Sequence, residues 1–151
     1  MAVYALTGAD DLFLNDYPLT EFTDNSTITI TFPNEDVGVS TGKNGNTVFS
    51  ENKQGENVQV ELRILAGGKD DAFLNGLRIQ QKRDLPSFSL MNGSFSKRVG
   101  DGQGNVRRIN YTLLGGVFRQ GIDAQENLVG DTEQGTALYR FTFASGARAI
   151  V

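Results

Sequence analysis

Histidine and cysteine are both absent from the 151-residue sequence, and these absences exclude much chemistry. Without them there is no Ser-His-Asp or Cys-His nucleophile, no thiol redox couple, no disulfide, and no zinc held by nitrogen and sulfur. Metal sites built from oxygen ligands, paired-carboxylate hydrolysis and binding roles survive. Proline is scarce, at 3 residues, whereas glycine is abundant, at 18; average glycine usage is ~7%. Many glycines with few prolines fit a turn-dense β fold rather than a linker. No apolar run approaches the ~18 residues that suggest a membrane-spanning helix. The N-terminus carries no basic region followed by an apolar stretch, so no signal peptide is expected.

What is present points to one ordinary domain, residues 1–151. The hydrophobic fraction is 38% and the charged fraction 21%. The core is therefore lean but real. Net charge is −4 and the isoelectric point about 4.8. Nonspecific nucleic-acid binding wants a basic face, and cations cluster only at Lys97-Arg98 and Arg107-Arg108.

Alternation is the main structural signal. Residues 27–32 place Ile28, Ile30 and Phe32 on one face and threonines on the other, as in a half-buried antiparallel strand. In residues 58–64, Val58, Val60, Leu62 and Ile64 point inward, while Gln59, Glu61 and Arg63 point outward. Tyr139, Phe141 and Phe143 alternate with Arg140 and Thr142. Weaker strands are expected over 3–6, 88–91 and 109–118, with a bulge or bend at Gly115-Gly116. A hairpin is expected where Val37 and Val39 precede Gly42-Lys43-Asn44-Gly45 and Val48-Phe49 follow, Asn44-Gly45 suiting positive φ. Arms of about seven residues would project roughly 20 Å. One helix is expected over 69–83. Ala72, Phe73, Leu74 and Leu77 share a face, Asp70-Asp71 and Lys82-Arg83 suit the dipole at either end, and Pro86 follows. Residues 100–105 form a loop, and 121–135 an exposed connection. The sum is a mainly β fold, a sandwich or barrel of about seven or eight antiparallel strands with one α-helix over an open end or face.

No constellation argues for catalysis, and no cofactor or metal is expected. The adjacent acids Asp10-Asp11, Glu35-Asp36 and Asp70-Asp71 lack the geometry of a paired-carboxylate site, because neighbours on a strand point to opposite faces and Asp70-Asp71 suits a helix start. Gly100-x-Gly102-x-Gly104 has the wrong spacing and flanks for a phosphate cradle. Asp16, Asp101 and Asn105 would be calcium ligands only in a loop pattern that is not there; turn chemistry accounts for them. Alternating aromatics at Phe88, Phe95, Phe118, Tyr139, Phe141 and Phe143 are core residues by default. Long strands and a projecting hairpin, by contrast, invite pairing with another chain.

In its order of elements the chain resembles the tail tube (inner tube) subunits of contractile-tailed bacteriophages and phage-like particles. The resemblance is clearest over residues 26–77: the strand ending in Pro33-Asn34-Glu35-Asp36, the loop Gly42-Lys43-Asn44-Gly45-Asn46, the strand from Val58, and the helix with Asp71-Ala72-Phe73-Leu74-Asn75. The C-terminal half agrees more loosely, through Asn92-Gly93-Ser94 and the final aromatic strand. The resemblance implies a non-enzymatic virion protein, made in the host cytoplasm, that self-assembles into hexameric rings. Stacked rings would form the tube through which DNA is ejected, with tail sheath, tape-measure and baseplate proteins as partners and no membrane. Val37, Val39, Lys43, Asn44, Val48 and Phe49 would belong to an inter-ring hairpin. Thr27, Thr29, Thr31, Gln59, Glu61 and Arg63 would face the lumen. Arg63 fits an acidic lumen least well, and is expected to pair with Glu61 or lie beyond the barrel. An acidic wall repels phosphate, so DNA passes without sticking. A secretion or injection tube ring and a tail terminator share these expectations; a carbohydrate-binding β-sandwich is the alternative from another class.

Overall fold

The computed structural model describes residues 2–6, 10–20, 28–52, 56–125 and 135–151. In chain order these form β1 (Ala5–Leu6), β2 (Asp11–Leu14), β3 (Tyr17–Pro18), β4 (Ile28–Thr31), β5 (Val37–Thr41), β6 (Thr47–Glu51), β7 (Val58–Leu65), α1 (Lys69–Arg83), β8 (Met91–Gly100), β9 (Val106–Phe118), β10 (Asp123–Gln125) and β11 (Thr136–Ile150). The fold is mainly β, antiparallel and sandwich-like, with one helix among the described residues, as the alternation predicts. Among the described residues the strands number eleven rather than seven or eight, because two-residue and three-residue pieces (β1, β3, β10) pair along the edges. Such pieces are too short to show alternation.

Nine strands form one sheet in the order β3-β2-β8-β9-β11-β7-β4, with β1 on β8 and β10 on β11; β5 and β6 form a separate ribbon. The main sheet curls so that its two ends meet: β2 residues Leu12 and Leu14 line one small apolar cavity with Ile28 of β4 and Val60 and Leu62 of β7. The centre is the β7–β11 pair, where Phe141 lies opposite Val60 and Tyr139 opposite Leu62. Val58, Val60, Leu62, Ile64, Ala137, Tyr139, Phe141 and Phe143 are all buried. Each large side chain so buried contributes ~1.5–3 kcal/mol. Ile28 and Ile30 are partly buried against this core, as are Phe88 and Phe95.

The helix has the bounds the sequence predicts. It covers the end of the curled sheet where β7 and β9 finish. Leu74 is fully buried, Phe73 and Leu77 pack on the core, and Phe73 stacks on Tyr17 at 4.1 Å. The Gln81 side chain donates to the Phe118 carbonyl at 2.9 Å and accepts from its N–H at 2.8 Å, pairing the helix with the strand end. Ala72 is exposed.

A fold line crosses β8, β9 and β11. On β9 both Leu113 and Gly116 are inward, and on β11 both Phe143 and Gly146, so the two strands change phase together. Gly115 carries φ +69°, and the β8–β9 register shifts between Met91 and Gly93. The bend expected at Gly115-Gly116 is here. Beyond it the long strands leave the barrel at the end opposite the helix. The strand expected over 88–91 begins only at Met91, because Phe88 is held in a turn by its N–H to the Leu85 carbonyl at 3.0 Å. Part of the exposed connection expected over 121–135 pairs as β10.

Candidate assembly surfaces

The β5–β6 ribbon stands apart from the main sheet. Its arms are five residues each, shorter than the seven expected, because pairing stops at Glu51. The turn is closed by Gly42 N–H to the Asn46 carbonyl at 2.8 Å and Gly45 N–H to the Gly42 carbonyl at 3.0 Å. Gly45 has φ +80°, so the positive φ expected near Asn44-Gly45 falls on the glycine; Lys43 lies beside it in the turn. At the base Asn52 N–H donates to the Asp36 carbonyl at 2.9 Å, and its side-chain amide to the Glu35 carbonyl at 2.7 Å. The register pairs Val39 with Phe49 and Val37 with Glu51, which puts Val37, Val39, Thr41, Thr47, Phe49 and Glu51 on one face. Val48 pairs with Ser40 and lies on the other. Val39 is 63% exposed and Phe49 72%. These exposed apolar side chains make the ribbon a candidate contact surface.

A second surface is the outer face of β4, β7 and β11. Thr29 pairs with Glu61 and Thr31 with Gln59, while Arg140 lies opposite Glu61, Thr142 opposite Gln59 and Leu138 opposite Arg63. The structure thus brings together five of the six residues proposed for a lumen; Thr27 lies outside the described residues. Arg140 bridges Glu61 at 3.4 Å and Asp123 at 2.8 Å. Its guanidinium is held above the ordinary arginine value, first by the Asp123 hydrogen bond and then by the charges of Asp123 and Glu61, against a smaller opposing effect of burial. Glu61 therefore faces Arg140 on the neighbouring strand, rather than Arg63, the first of the two placements expected for that arginine. Two acids and two arginines, Arg63 and Arg140, make this face balanced in charge rather than acidic.

The third surface was not anticipated. Past the fold line, β8 and β9 pair Arg98 with Arg108, Val99 with Arg107 and Lys97 with Ile109, and β11 adds Arg148 opposite Tyr111 and Ile150 opposite Ile109. Leu6 of β1 pairs with Val99. One face of this protruding sheet thus carries Lys97, Arg107 and Arg148 among Leu6, Val99, Ile109 and Ile150. Tyr4, Val99, Arg107, Ile109 and Ile150 line a groove of about 460 Å³. Arg148 is steadied by Tyr111, whose hydroxyl it meets at 2.9 Å and over whose ring it lies at 5.7 Å. The signal was in the sequence: two dibasic pairs flank the Gly-rich turn symmetrically, so a hairpin must place them side by side. A cleft of about 530 Å³ separates this protrusion from the ribbon, with Phe32, Glu35, Asp36 and Glu56 on one wall and Ala147 and Arg148 on the other.

Of the adjacent acids, Asp70 and Asp71 serve the fold. Asp70 accepts the Thr20 N–H at 2.7 Å. Asp71 accepts the Gly67 N–H at 2.8 Å and the Tyr139 hydroxyl, which ties the helix start to the core strand. Burial, followed by that bond, pushes the Tyr139 phenol far above its ordinary value. Asp101 organises its own turn, accepting from the Gln103 N–H at 2.7 Å and the Asn105 side chain at 2.8 Å; chiefly the Asn105 bond, then that from Gln103, lowers its pKa. Among the described residues no group of three or more acids is placed to hold a metal, and no helix is long and apolar enough to cross a membrane.

No family model matches the chain, and no curated protein matches it by sequence. Similarity lies in the fold. A chain of the anti-feeding prophage cap, described as the tube-terminating cap, matches with TM-score 0.61 at 12% identity, over 100% of this chain and 95% of that one. A chain from the PVC extracellular contractile injection system, described as a sheath/tube terminator in the extended state, matches with TM-score 0.59 at 9% identity, over 97% and 98%. A chain of the anti-feeding prophage baseplate matches with TM-score 0.52 at 12% identity, over 93% and 90%. The chain has the fold of structural components of contractile injection systems, and its resemblance to tail proteins is of that kind.

Proposed function

We propose that this protein is a terminator: a ring-forming structural subunit that caps the tube, or tube and sheath, of a contractile tail or injection particle. The observation that carries this is the end-to-end match, in both directions, with two chains described as terminators. The tube subunit suggested by the order of elements is the related alternative. The two ends of the molecule differ, which supports a cap. The ribbon and the β8–β9–β11 protrusion leave one end rich in exposed strands, and the helix closes the other. A subunit whose two ends differ in this way is suited to stop a stack. On this proposal the outer face of β4, β7 and β11, from Thr29 to Arg63, lines the bore, the ribbon contacts another subunit, and no residue is catalytic. The neighbours are the tube and sheath, and the protein resides in the particle.

Electron micrographs of the concentrated, purified protein provide the test. Closed rings of one diameter that do not lengthen into tubes are expected. Long tubes from this chain alone would favour the tube subunit, and a monomer at all concentrations would overturn both.

A further inference from the structure

The ribbon and the groove complement each other. The paired residues of the ribbon face are Val37, Val39, Thr41, Thr47 and Phe49 with one acid, Glu51, while Lys43 stands beyond them in the turn; Glu35 and Asp36 lie at its base. The groove face carries Val99, Ile109 and Ile150 with three cations, Lys97, Arg107 and Arg148. Its acids are partly committed: Asp10 lies 3.9 Å from Lys97, and Asp101 is bonded within its own turn. Ile150 is 53% exposed.

Both surfaces project from the end of the barrel opposite the helix. The cleft between them is walled by the ribbon base and by Ala147 and Arg148, and the groove continues along the same strand to Ile150. In a stack of copies oriented alike, this end would meet the helix end of the next copy. Two features of the same end cannot touch along the stack. They can touch only between copies that stand side by side.

We propose that the apolar, acidic face of the β5–β6 ribbon of one copy lies in the basic apolar groove of the copy beside it, closing a ring by lateral contact; this rests on the ring assembly proposed above. Each copy then offers one ribbon and accepts one, a head-to-tail arrangement that closes by rotation. Apolar contact supplies the holding energy, and opposite charge sets register and speeds encounter. The ribbon thus becomes a contact within the ring rather than between rings.

The chain has no cysteine, so introduced thiols report alone. Val39→Cys and Ile150→Cys are exposed changes in the full chain, treated with a short bismaleimide. A mixture of the two single variants should give linked dimers about tenfold faster than either alone, and adding Arg107→Glu to the Ile150→Cys chain should slow this about tenfold. The double variant V39C/I150C should give a ladder of linked species up to one closed ring. A ladder that stops at two copies would mean a two-fold dimer and overturn the proposal. Rings in micrographs without cross-links would overturn the lateral contact but leave the terminator standing. Tubes assembled from a chain that does cross-link laterally would overturn the terminator and leave the contact. Neither rings nor cross-links would remove both.

Discussion

Tyr139 shows how much rests on single side chains. Its ring sits among Phe118 and Phe141, and its hydroxyl donates to Asp71, 68 residues away. Tyr139→Phe keeps the ring and removes the bond, and is expected to cost about 1.5–3 kcal/mol because the acceptor is charged, measured by urea unfolding. Because the folded-state phenol pKa is raised, the stabilisation it contributes is complete below its ordinary value of 10.0 and is lost as pH rises through the folded value. In an absorbance titration, ionisation of Tyr139 should appear only with alkaline unfolding. If Y139F shows the same titration amplitude at unfolding as the parent, the linkage is wrong. Gly116 is the complementary case. A Cβ there would stand 2.4 Å from the Phe143 ring, which is itself buried. Gly116→Ala should destabilise by ~1–3 kcal/mol through overpacking, read as a fall in Tm of ~2–4 °C per kcal/mol.

At the scale of elements, the helix and the ribbon behave oppositely. The helix is docked through Leu74, Tyr139 and Gln81, so small gains in its propensity add to global stability. Gly76 is exposed, and a Cβ there meets nothing within 4 Å. Gly76→Ala is therefore expected to stabilise by about 1 kcal/mol; no rise in the urea midpoint would mean that the helix does not report on global unfolding. Element bounds were most legible where signals are local. Asp70-Asp71, Lys82-Arg83 and Pro86 mark the helix with no outside reference. Faces of β7 and β11 were equally legible, because period-two alternation is written along each strand. Less legible was the ribbon: its apolar residues read as one group, but register sends Val48 to the side away from Val39 and Phe49.

The whole molecule leaves large apolar side chains exposed. Among the described residues Leu6, Val39, Val48, Phe49, Val106 and Ile150 are each more than half exposed. Apolar surface of this kind is what a partner subunit can cover. Assembly that buries this surface must stabilise the folded chain by mass action. The thermal midpoint is therefore expected to rise with protein concentration over the range in which light scattering shows rings forming. A midpoint that stays constant across that range would mean that assembly adds nothing to the folded state.

By itself the sequence determined the class of fold, the helix and its ends, the inward faces of the central strands, and the absence of thiol and imidazole chemistry. Each of these is set by neighbours a few residues apart, through alternation, helix-end charge or simple composition. The tertiary structure alone decided which distant strands lie side by side. It set Arg140 rather than Arg63 against Glu61, tied Tyr139 to Asp71, and gathered Lys97, Arg107 and Arg148 beside Ile109 and Ile150. The physical reason is that an antiparallel register joins residues tens of positions apart, and a phase change such as the one at Gly115 reassigns every face beyond it. A chain lacking histidine and cysteine thus has its distinctive chemistry in the shape and charge of its surfaces.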